Sequence, residues 1–107
     1  MRSEVVEDEL IGKIDSYFKE AVRDFVVTDS SDMPILQLNI EMSLYNYFVV
    51  RATIEKGMMF FSIVQSGFLF KLFKLELTEK NLELVPKMLD EEVRLRIPDK
   101  YLSAKNW

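Results

Sequence analysis

The sequence contains no cysteine and no histidine, and each absence removes a class of chemistry. Without cysteine the chain cannot form a disulfide, a thiolate nucleophile or a cysteine-ligated zinc or iron–sulfur site. Without histidine it lacks the one side chain that ordinarily titrates near neutral pH. Serine–histidine and cysteine–histidine nucleophilic schemes therefore cannot be assembled. We expect a protein that is not an enzyme and has no catalytic residues.

Glycine and proline are scarce as well, with 3 residues of each in a chain of 107. Gly12, Gly57 and Gly67 stand far apart, so the sequence has neither a phosphate-binding loop nor a dinucleotide fingerprint. The carboxylate run at 7–9 falls in a predicted helix, where consecutive side chains point in different directions and cannot converge on one ion. We therefore expect no cofactor and no bound metal.

Long hydrophobic runs are also missing. The most apolar stretch, residues 57–70, is interrupted by polar side chains and is shorter than the ~20 residues that a membrane-spanning helix needs. The first ten residues, MRSEVVEDEL, are acidic where a secretory signal is basic and then apolar. We expect a cytoplasmic protein that does not contact a membrane. Its length and its 49% apolar content suit a single domain over 1–107.

The acidic charge of the chain is concentrated near its N-terminus. Residues 1–41 hold ten acids and four bases, whereas residues 42–107 hold eight acids and ten bases, for a net charge of −4 overall. A net negative charge opposes nucleic-acid binding, because a basic surface supplies most of the affinity in such complexes. The asymmetry instead favours a protein partner with a basic surface.

Apolar residues in the first quarter of the chain recur at helical spacing. They are Val6, Leu10, Ile14, Phe18, Val22 and Phe25. This stripe predicts an amphipathic helix from about Ser3, as its N-cap, to Phe25. The polar cluster at 28–32 then predicts a loop.

The hydrophobic period changes from 3.6 to 2 after this loop. Strands are predicted at 36–42, 45–54, 58–64 and 68–77, followed by a helix after Thr78 that Pro86 kinks or breaks, a short strand at 93–97 and a helical turn after Pro98. This order predicts an α+β fold, with the N-terminal helix packed on an antiparallel meander sheet of four to five strands and a second helix near the C-terminus. The strand at 68–77 is apolar on both faces, which predicts a sheet covered on both sides, with an exposed interface as the alternative.

Nine residues are candidates for contact with a partner. Six are carboxylates expected to lie off the apolar stripe or in the loop: Asp8, Asp15, Glu20, Asp24, Asp29 and Asp32. The other three are Tyr45, Tyr47 and Arg51, which are predicted to share one strand surface, since exposed tyrosine and arginine often anchor interfaces. The alternative for the acids is that they only solubilise the helix and interact favourably with its dipole. The alternative for the tyrosines is that they belong to a half-buried sheet face.

Lys71 and Lys74 alternate with Phe68, Phe70 and Phe73. Interleaved basic and aromatic residues can form a stacking surface for single-stranded nucleic acid. Here the spacing is that of a strand and the chain is acidic, so we interpret the pattern as core packing with two lysines that extend to solvent.

The last eleven residues, IPDKYLSAKNW from Ile97 to Trp107, resemble the C-terminal tails of small bacterial immunity proteins from contact-dependent growth inhibition and related polymorphic-toxin systems. The resemblance implies a protein that binds a cognate toxin and occludes its active site. A nuclease is the expected toxin, because its basic groove would accept carboxylates in place of phosphates. One alternative is a small structural or adaptor domain that self-associates, for example as a homodimer, through its apolar sheet. A carboxylate- and metal-dependent enzyme is a third hypothesis.

Overall fold

A computed structural model describes residues 2–107, which form one antiparallel sheet and three helices. The elements in chain order are α1 (Ser3–Phe18) with a 3-10 turn at Lys19–Ala21, β1 (Val22–Ser31), β2 (Gln37–Leu44), β3 (Phe48–Glu55), β4 (Met58–Gln65), β5 (Phe68–Glu76), α2 (Glu79–Arg94) and α3 (Asp99–Ala104). The strands lie in the order β1-β2-β3-β4-β5, and each neighbouring pair is antiparallel. The predicted α+β fold is confirmed, with five strands in the meander.

The helices and one face of the sheet enclose a single core. Its buried residues include Val6, Leu10, Ile14 and Phe18 of α1, alternate residues of β2, β3 and β4 from Leu38 to Ile63, and Leu82, Val85, Leu89 and Val93 of α2. The helix α1 lies over β1 and β2, while α2 packs beside α1 and contacts β5. None of the three helices in residues 2–107 packs on the opposite face, which we call the open face. The prediction of a sheet covered on both sides is therefore wrong.

The predicted N-terminal helix is too long by seven residues. It ends at Phe18, because Lys19 takes a φ of +52°, and Val22 and Phe25 lie on β1. Val22 is still buried and Phe25 half-buried, so the stripe faces the core as predicted, but its last members do so from a strand. The predicted loop at 28–32 is also mostly strand, because β1 continues to Ser31 and pairs with β2.

Two further parts of the chain differ from the prediction. Residues 45–47 form a hairpin turn rather than the start of β3, with positive φ at Tyr45 and Asn46 and a hydrogen bond from the N–H of Tyr47 to the carbonyl of Leu44 (3.0 Å). The predicted strand at 93–97 is absent, since α2 extends to Arg94 and a turn follows.

The second helix begins as predicted and continues past its proline. The Oγ1 of Thr78 accepts a hydrogen bond from the N–H of Asn81 (3.1 Å), which makes Thr78 the N-cap. Pro86 is buried inside α2, which remains one helix from Glu79 to Arg94. Within residues 2–107, no helix combines the length and apolar character that crossing a bilayer requires.

Candidate protein-binding surfaces

The outer side of α1 carries three carboxylates, of which Asp8 borders a hollow that Glu83 and Lys87 of α2 also line. At 100° per residue, Glu4, Asp8 and Asp15 fall within an arc of about 40°. Lys13 lies on the opposite side, where its ammonium group pairs with Glu83 of α2. All three carboxylates are exposed. The helix that carries them lies over β1 and β2.

The chain continues this acidic border through the 3-10 turn and along β1. Glu20, Asp24 and Asp29 are all exposed, and β1 is an edge strand with only one neighbour. Asp24 has a φ of +61° and sits in an irregular stretch of the β1–β2 pairing, between Arg23 and Val26. We call Asp8, Asp15, Glu20, Asp24 and Asp29 the acidic edge.

None of the acidic-edge carboxylates forms a salt bridge within residues 2–107. The four salt bridges there join Lys13 to Glu83, Arg51 to Glu41, Arg94 to Asp90 and Arg96 to Glu92. Their acids therefore all lie beyond residue 40, and no acid before that position forms a salt bridge within residues 2–107. Two bases, Lys19 and Arg23, are exposed in the same part of the chain.

The sixth candidate carboxylate, Asp32, has a structural contact. Its Oδ1 accepts a hydrogen bond from the N–H of Ser3 (2.8 Å), and its Oδ2 accepts one from the Ser3 hydroxyl (3.0 Å). Ser3 is thus the first helical residue rather than the N-cap, and Asp32 satisfies one of the free N–H groups at the start of α1. The hydrogen bond from the Ser3 N–H holds the pKa of Asp32 below its ordinary value.

Tyr45 is buried, at 3% exposure, and therefore offers no surface to a partner. Its hydroxyl donates a hydrogen bond to Oδ1 of Asp90 and accepts one from Nε of Arg94 (3.1 Å). Tyr17 donates to the other oxygen of Asp90 (2.9 Å). Burial, and then the bond to Asp90, raises the pKa of Tyr45, while the bond to Asp90 is the main cause that raises the pKa of Tyr17.

The C-terminal tail is fastened to the same turn. The ring of Trp107 packs edge-on against Tyr45, with centroids 5.6 Å apart, and the hydroxyl of Tyr101 donates to the carbonyl of Tyr45 (2.7 Å). The segment that resembles immunity-protein tails therefore closes the helical side of the core.

Tyr47 and Arg51 do not form the strand surface that was predicted with Tyr45. Tyr47 lies in the turn, is 41% exposed and packs edge-on against Tyr101. Arg51 lies on the open face of β3, where its Nε and Nη2 both donate to Oε2 of Glu41 (2.9 and 2.7 Å). The structure therefore separates the three residues.

A cleft on the open face was not predicted from the sequence. It has a volume of about 380 Å³ and lies where β5 bulges, since Phe61 pairs with Phe73 but the next residue, Ser62, pairs with Lys71. Lys71 and Lys74 both line it. Two residues three apart in a regular strand point to opposite faces, so this lysine pair was the available signal for a bulge.

Within residues 2–107, no three acidic side chains are grouped so that they could hold a metal ion. In comparisons with known proteins, no family, no curated protein sequence and no solved structure matches this chain.

Proposed function

We propose that this protein is a cytoplasmic immunity protein that binds a cognate toxin, with a nuclease as the leading class, and occludes its active site through the acidic edge. The observation that carries the proposal is the uncompensated charge of that edge. Its five carboxylates are exposed and have no salt-bridge partner within residues 2–107, whereas the four acids that form salt bridges there, Glu41, Glu83, Asp90 and Glu92, all lie beyond residue 40. Such an inhibitor needs no catalytic group, cofactor or metal of its own.

The position of these carboxylates on regular elements suits an electrostatic inhibitor. Asp8 and Asp15 are seven residues apart on one helix, about 10 Å along its axis. That spacing is close to three nucleotide steps of about 3.4 Å along one strand of B-form DNA. Because α1 is held by the core, little conformational entropy is lost when its carboxylates bind.

Complementary charge acts mainly on the rate of association and on specificity. It raises association rate constants from about 10⁵–10⁶ M⁻¹s⁻¹ toward 10⁸ M⁻¹s⁻¹ or more at low salt. A protein that must capture a toxin before the toxin reaches nucleic acid benefits from that speed. The carboxylates near the centre of the interface should in addition slow dissociation, since few residues carry most of the binding energy.

The test uses the C-terminal domain of the protein encoded by the gene immediately upstream, which the proposal expects to be toxic. Bacteria that express this domain should stop growing, and co-expression of the wild-type protein should restore growth. The triple variant Asp8→Lys/Asp15→Lys/Asp29→Lys should lose this protection. In stopped-flow measurements it should associate at least about tenfold more slowly at low salt, with a smaller difference at high salt.

A matched control changes the same charge elsewhere. Glu76, Glu79 and Glu91 are exposed and lie outside the acidic edge, so the variant Glu76→Lys/Glu79→Lys/Glu91→Lys should protect cells as the wild type does. Both triple variants should keep cooperative unfolding. Equal protection by the two variants would refute the acidic edge as the binding surface, and growth arrest that the wild type does not relieve would refute immunity.

A second candidate function, self-association of a structural or adaptor domain, rests on the open face. Val26, Val49 and Leu69 lie there on three different strands and are 52%, 43% and 40% exposed. Sedimentation over a wide concentration range tests it. A homodimer should appear at high concentration and should be abolished by Val49→Lys, whereas a monomer at every concentration contradicts this candidate.

A further inference from the structure

The open face places a serine between two cations. In the strand register, Ser62 of β4 is directly opposite Arg51 of β3 on one side and Lys71 of β5 on the other. Side chains that face each other across neighbouring strands have Cβ atoms about 4.5–5.5 Å apart. A guanidinium, a hydroxyl and an ammonium group therefore stand in one row across the sheet.

Ser62 is largely buried and lines the cleft on the open face. It is 7% exposed, and the only other buried polar residue within residues 2–107 is Ser3. The hydroxyl of Ser3 donates to Asp32, whereas Ser62 lines the cleft. A polar side chain in the lining of a largely apolar cleft fixes the orientation of a ligand that binds there.

The cleft beside Ser62 has apolar walls and a basic rim. Phe60, Leu69 and Leu72 line it, and the β5 bulge brings both Lys71 and Lys74 to its rim. Its volume of about 380 Å³ lies within the range of small-molecule sites, about 300–1,000 Å³. A second hollow, lined in part by Arg51, Val64 and Leu69, continues it along the open face.

The charges around the cleft select a ligand with one negative charge. There are three bases around the cleft, Arg51, Lys71 and Lys74. There are two acids, Glu55 on the rim and Glu41, which forms a salt bridge with Arg51. This leaves one uncompensated positive charge. The ligand that fits has a monoanionic head group, which accepts a hydrogen bond from the Ser62 hydroxyl. The head group is attached to an apolar body that covers Phe60 and Leu72.

We propose that this cleft binds a small organic carboxylate with an apolar body. The carboxylate lies between Arg51 and Lys71 and accepts a hydrogen bond from the Ser62 hydroxyl. The apolar body fills the space left by the β5 bulge. This site lies on the open face and is independent of the acidic edge, so its test does not depend on the toxin.

The experiment is a titration of ¹⁵N-labelled full-length protein with sodium octanoate, followed by amide chemical shifts. Octanoate should cause saturable shifts at Ser62, Lys71 and Leu72. Octylammonium, which has the same chain and the opposite charge, should not. Lys71→Met should weaken octanoate binding about tenfold, because the Lys71 ammonium group is one of the two cationic groups that face the carboxylate, the other being the Arg51 guanidinium. Lys87→Met, an exposed lysine of α2, is the matched control and should bind as the wild type does.

Ser62→Ala removes only a hydroxyl and should weaken binding about fivefold while it preserves the spectrum. Equal shifts with octanoate and octylammonium, or an unchanged affinity in Lys71→Met, would mean adsorption on an apolar surface and would overturn the proposal. Concentration-dependent shifts of the same residues without any ligand, together with twice the monomer mass in sedimentation, would show that a second copy covers the face, which also overturns it.

Discussion

Tyr45 connects the hairpin turn to three other parts of the chain through one side chain. Its ring packs edge-on against Phe18 and Trp107, and its hydroxyl bonds to Asp90 and Arg94. Tyr45→Phe keeps the ring contacts but leaves Asp90 with one donor fewer. We expect it to lower the free energy of unfolding by about 1–3 kcal/mol in urea titrations.

Tyr47→Phe is the control for this substitution, since the Tyr47 hydroxyl is in the same turn but has no hydrogen-bond partner within residues 2–107. We expect its unfolding free energy to stay within about 0.5 kcal/mol of the wild type. If Tyr45→Phe were equally neutral, the hydroxyl network would contribute nothing to stability beyond the packing of the ring.

The lowered pKa of Asp32 determines how this residue changes the stability of the protein with pH. Above the ordinary carboxyl pKa of 3.8, the folded and unfolded states both hold Asp32 ionised, and its bonds to Ser3 contribute fully to stability. As pH falls toward the lower folded pKa, the unfolded state takes up the proton first, so that stability is lost. Asp32→Asn should therefore be less stable than the wild type at neutral pH.

The difference between Asp32→Asn and the wild type should shrink as pH drops below about 4, because the wild-type carboxyl is then protonated in the unfolded state. Urea titrations at a series of acidic pH values measure it. A difference that stays constant from neutral to strongly acidic pH would show that the charge of Asp32 is not what stabilises the start of α1.

At the scale of elements, the end of α1 depends on one strained residue. Lys19 has φ +52° and ψ −117°, a conformation that side chains with a Cβ disfavour and glycine tolerates. Lys19→Gly should therefore raise the free energy of unfolding by about 1 kcal/mol, the relief of strain exceeding the added freedom of the unfolded chain. Ser16→Gly, at an exposed position inside the helix, is the control and should destabilise by about 0.5 kcal/mol, the difference between the helix propensities of serine and glycine. Thermal and urea unfolding measure both variants. If Lys19→Gly were less stable than the wild type, Lys19 would not be a strained residue.

The boundary at Lys19 also shows what local patterns can and cannot predict. Val22 and Phe25 continue the helical spacing of Phe18, and they turn toward the core in either structure, so the apolar stripe alone does not distinguish helix from strand. What decides is the pairing of Val22 with Leu44, which lies 22 positions along the chain. By contrast, the break between the strands predicted at 45–54 and 58–64 has a local signal in Gly57, which takes φ +74° in the tight hairpin that joins β3 to β4.

Some features of the candidate surfaces could likewise be predicted from local sequence, and others could not. Exposure of Asp8 and Asp15 could be predicted, because it follows from their angle to the stripe on a helix. Burial of Tyr45 could not, because it depends on Asp90 and Trp107, which are distant in sequence and reach the turn only in the folded protein. The spacing of Lys71 and Lys74 signals the bulge in β5, but the position of the cleft beside Ser62 depends on the register between β4 and β5, which that spacing does not contain.

For the molecule as a whole, the two edges of the sheet differ in charge. The β1 edge carries the unpaired carboxylates of the acidic edge, whereas the β5 edge carries Lys71 and Lys74. A protein with this distribution is oriented by the field of a charged partner before contact, so that a basic surface meets the β1 edge first. Because the charges on both edges are exposed, this orientation weakens as salt shortens the range of the field.

The pH dependence of the whole molecule is fixed by the absence of histidine. Carboxylates ordinarily titrate near 4 and lysines near 10.4. The groups with shifted pKa values move away from neutrality: Asp32 shifts down, and Tyr17 and Tyr45 shift up. Two bases, Lys13 and Arg94, also shift up. The folded and unfolded states should therefore bind the same number of protons between about pH 6 and 8.

Equal proton binding means that the unfolding free energy is flat in this window. We expect urea titrations at pH 6, 7 and 8 to agree within about 0.5 kcal/mol, because one proton of difference would change stability by about 1.4 kcal/mol per pH unit. The same titrations below pH 5 are the positive control, since carboxylates titrate there and stability must fall. A steep change between pH 6 and 8 would instead reveal a carboxylate with a strongly raised pKa, and that residue would be the first candidate for a catalytic acid or base.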